Sequence, residues 1–109
     1  MSPEAATTAS VGNIDRMVTS WQRHLRAENK TPQTVMAYTY AGSQFSDFLR
    51  YRGMPVDVGS ITREHVEAFL ADLLEHRSPA TANNRYRGLR QFFAWLAAEL
   101  KSRARQRLA

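Results

Sequence analysis

The sequence has no cysteine, no long apolar run and no glycine-rich phosphate loop, and each absence removes a class of protein. Without cysteine there are no disulfides and no thiolate metal sites, and nothing points to an oxidising compartment. No apolar stretch approaches the roughly 20 residues that a membrane-spanning helix needs. The N-terminus lacks the basic and apolar regions of a signal peptide. A cytoplasmic protein with no membrane partner is expected. His24, His65 and His76 fall on different predicted helices or at their ends, without paired ligand spacing, which argues against a metal site. Ser, His and Asp form no arrangement recognisable as a nucleophilic site. Helix dipole effects account for the Glu64 and Glu67 pair. The residues therefore point to no catalytic group, no cofactor and no metal.

What is present is one small domain with uneven charge. A chain of 109 residues buries roughly 60 to 65% of its unfolded surface on folding and needs no covalent staple. The formal net charge of +5 is modest, but its distribution is not. From Arg77 to Arg107 eight basic residues face Glu99 alone, whereas from Asp57 to Glu75 five acids face Arg63 alone. One surface is expected to attract a polyanion and another to repel it.

Apolar spacing divides the chain into four helices. Residues 1–13 are small, polar and aperiodic, and read as a disordered leader. Ile14, Met17, Val18, Trp21 and Leu25 predict a first helix from about Ile14 to Glu28, with Asn29 near its end. Thr31 as N-cap and Pro32 as first helical residue open a second, with Val35, Tyr38, Phe45, Phe48 and Leu49 facing inward and Gly53 as a left-handed stop. Ala41 and Gly42 interrupt that face, so either a neighbouring helix crosses closely or the helix bends. After the connection Met54–Ser60, Thr62 caps a third helix that buries Ile61, Val66, Phe69, Leu70, Leu73 and Leu74. Ser78 and Pro79 open the fourth, in which Tyr86, Leu89, Phe93, Leu96 and Leu100 form a stripe that Phe92 and Trp95 widen. The tail 101–109 is basic, and either extends the fourth helix or forms a flexible arm. No period-two alternation predicts a strand. The fold class is all-α, a compact four-helix bundle with acutely turning connections.

Two clusters of polar residues can read nucleic acid. Lys30, Thr31, Gln33 and Thr34 gather at the start of the second helix, and Thr81, Asn83, Asn84, Arg87, Arg90 and Gln91 on the first half of the fourth. Helix N-termini favour phosphate, while Arg can pair with guanine and Asn with adenine in the major groove. A solvated helix face is the plainer explanation of either cluster taken alone.

Three stretches together resemble the N-terminal core-binding, or SAM-like, domain of tyrosine recombinases, the phage-integrase family. They are TPQTVMAYTYAGSQFSDFL, ITREHVEAFLADL and SPATANNRYRGLRQFFAWL, in the family's order, and the resemblance covers about Ile14 to Leu100. It departs from the family pattern at Ala41-Gly42, at Tyr86-Arg87-Gly88 and in the tail. The resemblance implies an orthogonal bundle of SAM-like type, residues 14–100, whose second and fourth helices face the major groove. The ten polar residues just named would then contact double-stranded DNA. It also implies recombinase protomers as partners, a nucleoid-associated location and an active site in a second domain outside this chain. Tyr38, Tyr40, Tyr51 and Tyr86 are accordingly not read as nucleophiles, and the chain is expected to be an excised domain or a truncated product. The alternative is a helical protein-interaction module with a solvated basic face.

Overall fold

In the computed structural model, which describes residues 12–108, four α-helices follow one another with no strand among the described residues. Most of the leader, residues 1–11, lies outside the described residues. Each helix starts at a residue whose side chain answers an otherwise unpaired amide. Asn13 Oδ1 accepts from Asp15 N at 2.9 Å and opens α1 (Ile14–Ala27). Thr31 Oγ1 accepts from Thr34 N at 3.2 Å and opens α2 (Pro32–Tyr51). Ser78 Oγ accepts from Thr81 N at 3.1 Å at the head of α4 (Pro79–Leu108). Before α3 (Arg63–His76), Thr62 forms a capping box in which the Nδ1 of His65 accepts from the Thr62 amide at 2.9 Å. An imidazole there does the work usually done by Glu or Gln.

The connections turn sharply because single residues take left-handed backbone. Asn29, at φ 61°, reverses the chain after α1, and Gly53, at φ 68°, does so after α2. The segment after Gly53 runs back along the start of α1, where Ile14 N donates to Val56 O at 2.8 Å. Val56 and Val58 are thereby half-buried against the core, Val58 within a short 3-10 turn (Val58–Ser60). The basic tail resolves the alternative left by its composition, since α4 continues as helix through Leu108.

Trp21, Phe45, Leu49, Phe69, Leu89 and Phe92 are all but fully buried and form the centre of the core. The Phe92 ring lies 5.3 Å from Trp21 and 5.0 Å from Phe93, and Phe45 lies 5.3 Å from Phe69, spacings at which aromatic pairs attract beyond their buried area. The five residues assigned to the inner face of α1 are the buried ones. Two other assignments are corrected. Tyr86 is 43% exposed and Leu74 54% exposed, so neither is a core residue. In α4 the buried line passes through Ala82, Leu89, Phe92 and Leu96, which turns Tyr86 outward. In α3 the packed side holds Phe69 and Leu73, which leaves Leu74 on the outer face.

Helix crossings explain two glycines. A Cβ at Gly42 would meet Val18 Cγ2 at 2.9 Å, so α1 crosses α2 closely at the interruption in its apolar face. A Cβ at Gly88 would meet the Cβ of Ala41 at 2.8 Å, an atom fixed to the α2 backbone. Gly88→Ala gains up to about 1 kcal/mol of helix propensity. Overpacking against an atom that cannot swing away costs about 1 to 3 kcal/mol. The expected net result is a loss of about 1 kcal/mol, measured as a lower urea midpoint with an unchanged slope.

One polar cluster ties α1 to α2. The fully buried Ser46 hydroxyl donates to Asp15 Oδ1 at 2.6 Å and accepts from Arg50 Nη1 at 2.7 Å, and Arg50 closes the triangle by pairing with Asp15.

Candidate nucleic-acid interface

The Gly88 crossing decides where the polar residues go. Because α4 lies directly on Ala41 and Tyr38 there, its preceding turn is carried alongside the first turns of α2. The result is a cleft of about 250 Å³ lined by Gln33, Thr34, Ala37 and Tyr38 from α2 and by Asn84 and Arg87 from α4. Four residues singled out from two segments some fifty positions apart therefore share one opening. Arg87 is exposed and makes no ion pair among the described residues, so its charge is available. No carboxylate lines this cleft.

A second opening, about 540 Å³, adjoins the first through Tyr38 and is lined in part by Lys30, Gln91, His24, Glu28 and Trp95. Tyr38 is held by stacking on Trp21, with centroids 5.6 Å apart and planes 4° from parallel. His24 pairs with Glu28 at 3.4 Å and lies 5.9 Å from the Trp95 ring. Lys30 and Gln91 are thus brought to the same side of the molecule as the first cleft.

The remaining candidates are placed differently. Thr31 and Thr81 belong to helix starts: Thr31 Oγ1 donates to Thr34 Oγ1 at 2.9 Å, and Thr81 Oγ1 accepts from Ser78 Oγ at 3.1 Å. Asn83 and Arg90 are exposed but line neither cleft, and the Arg90 guanidinium lies 5.8 Å from the Tyr86 ring centroid. Arg87 and Arg90 therefore serve neighbouring faces rather than one.

Arg85 is the residue that sequence reasoning undervalued. Half-buried, it donates from Nε to Gln44 Oε1 at 2.5 Å and from Nη1 to Asn84 Oδ1 at 2.8 Å, with its guanidinium 4.6 Å from the Tyr40 centroid. It pins α4 to α2 and orients Asn84 at the edge of the cleft. A signal existed: Arg85 sits three residues after Ala82 and four before Leu89, on the buried line of α4.

Charge is segregated as its order along the chain implies. Glu64, Glu67 and Glu75 are exposed on α3, with Glu67 paired to Arg63 at 3.5 Å. Lys101 and Arg105 are exposed on the last turns of α4, while Arg103 pairs with Glu99 at 3.3 Å. Among the described residues no group of three or more His, Asp and Glu could hold a metal ion, and no helix is long and apolar enough to cross a membrane.

Residues 17–101 match the family model described as phage integrase, N-terminal SAM-like domain. No curated protein and no solved structure matches the chain.

Proposed function

The chain belongs to the phage integrase N-terminal SAM-like family, and from that membership we propose that it is the DNA-binding module of a site-specific tyrosine recombinase. The family model is the N-terminal part of integrases and not their catalytic domain. On this reading Lys30, Thr31, Gln33 and Thr34 of the second helix region, with Thr81, Asn83, Asn84, Arg87, Arg90 and Gln91 of the fourth, clamp one side of a duplex. A separate catalytic domain and further recombinase protomers complete the assembly.

The observation that carries the proposal is the shared cleft. Gln33, Thr34, Asn84 and Arg87 come from two helices, point into one opening without a carboxylate, and include a guanidinium with no ion-pair partner among the described residues. A merely solvated face would have no reason to converge. Amides and a guanidinium are the groups that pair with base edges in the major groove, and helix starts favour phosphate. The acidic outer face of α3 is directed elsewhere in function, since it would repel a backbone of phosphates.

Binding is expected to be weak and strongly dependent on salt, because a single module makes only part of the contacts of a clamp. Neutralising about four to six phosphates gives a slope of about −4 to −5 in log K against log [salt]. A fluorescence-anisotropy titration of a labelled duplex from low to moderate salt measures this slope. Binding that is absent at low salt, or indifferent to salt, supports the protein-interaction module instead. No covalent protein–DNA adduct is expected on a nicked substrate, because on this reading the tyrosine nucleophile and the groups that activate it belong to the separate catalytic domain, and none of Tyr38, Tyr40, Tyr51 and Tyr86 is that nucleophile. An adduct mapped by mass spectrometry to any tyrosine of this chain overturns that expectation.

A further inference from the structure

The cleft between α2 and α4 holds one small apolar wall among hydrogen-bonding ones. Ala37 stands one turn beyond Gln33 on α2, is exposed, and faces the same opening as Asn84 and Arg87. Its methyl has no hydrogen-bonding capacity, and the Arg85 tether fixes the distance between its helix and that of Asn84. A major-groove A·T pair presents a matching set: a methyl and an acceptor on thymine, and an N7 acceptor with an N6 donor on adenine. Alanine methyls pack on thymine methyls, and primary amides pair with adenine through both of its groups.

We propose that this cleft reads an A·T pair, with Ala37 against the thymine C5-methyl, Gln33 or Asn84 on the adenine edge, and Arg87 on the guanine of a neighbouring pair. The inference rests on the DNA-binding reading above and deepens it to a base preference. Two features favour a base edge over phosphate here. A methyl adds nothing to phosphate binding, and amide side chains of both helices flank it instead of further cations. Lys30, beside the adjoining opening, is better placed for backbone charge.

The test begins with selection of preferred duplexes from a random library by the wild-type chain. Each thymine of the selected site is then replaced singly by deoxyuridine, which removes the C5-methyl and leaves every hydrogen-bonding group. Burial of one methyl is worth about 0.8 kcal/mol, so one position is expected to lose affinity about fourfold. Ala37→Gly is expected to lose that sensitivity, binding the thymine and uridine duplexes equally, with its helical circular dichroism retained. Ala37→Ser, a second variant that keeps the helix, is expected to blunt the same discrimination. The proposal is overturned if the selected site binds with a steep salt slope yet no uridine substitution changes affinity, or if Ala37→Gly and Ala37→Ser keep the full fourfold effect. Failure to bind any duplex at low salt, by contrast, removes the DNA-binding reading itself and this inference with it.

Discussion

Arg87→Ala is expected to weaken binding to a preferred duplex by about 1 to 3 kcal/mol, or about 5- to 150-fold, while leaving the fold intact. Arg87 lines the α2–α4 cleft, is exposed, and is fixed in direction by a helix whose next residues, Gly88 and Leu89, are locked against the core. A guanidinium delivered by a rigid helix arrives pre-positioned for bidentate pairing. Arg90→Ala removes a cation resting near Tyr86 and outside both openings, so its effect is expected to be the smaller of the two. Replacing Lys101 and Arg105, beyond the last apolar anchor, is expected to weaken preferred and random DNA alike and to flatten the salt slope. Competition binding with preferred and scrambled duplexes separates these outcomes. Equal affinities for wild type and a folded Arg87→Ala chain return this face to plain solvation.

Phe92→Ala is expected to cost about 3 to 5 kcal/mol of stability. The ring is fully buried and touches the aromatic groups of three neighbours, lying 5.3 Å from Trp21, 5.0 Å from Phe93 and 6.2 Å from Trp95. Removing it leaves a cavity where α1 meets α4, and neither helix can collapse into it while the Gly42 and Gly88 crossings hold both against α2. Against a total of about 5 to 15 kcal/mol for a small domain, the loss corresponds to a fall in Tm of about 15 to 30 °C. Thermal melts followed by circular dichroism measure it. Phe92 and Arg87 are five residues apart on α4 yet belong to opposite concerns: one variant is expected to lose stability, and the other only DNA.

Much of this was legible because local signals coincide with their tertiary use. Asn29, Thr31-Pro32, Gly53 and Ser78-Pro79 mark boundaries by backbone chemistry that no packing overrides, and the helices begin and turn there. The convergence of Gln33 and Thr34 with Asn84 and Arg87 was legible only as two clusters. Their meeting depends on a close approach at Gly88, which spacing cannot reveal. Tyr86 was misplaced for a related reason. The three-four rhythm accepts Tyr86, Leu89, Phe93, Leu96 and Leu100 as a stripe, but the true line reaches Leu89 through Ala82 and Arg85, a small residue and a charged one that carry little apolar signal. Leu74 extended an apolar run past the edge of what α3 buries. Ser46 was invisible as well, since its hydroxyl finds its partners only where Asp15 of α1 meets Arg50, one turn along α2. The His65 cap escaped notice because Glu and Gln, not His, usually close such a box.

The measurement that tests the central claim most directly is an amide-resolved NMR titration of the chain with duplex DNA at low salt. Chemical-shift changes are expected to concentrate in residues 30–38 and 81–91, around the cleft and its neighbour, and to disappear as salt is raised. The outer face of α3, from Arg63 to Glu75, is expected to remain silent. Changes centred on that acidic face, or shifts at the cleft that persist at high salt, would contradict the assignment of the α2–α4 cleft as the DNA interface.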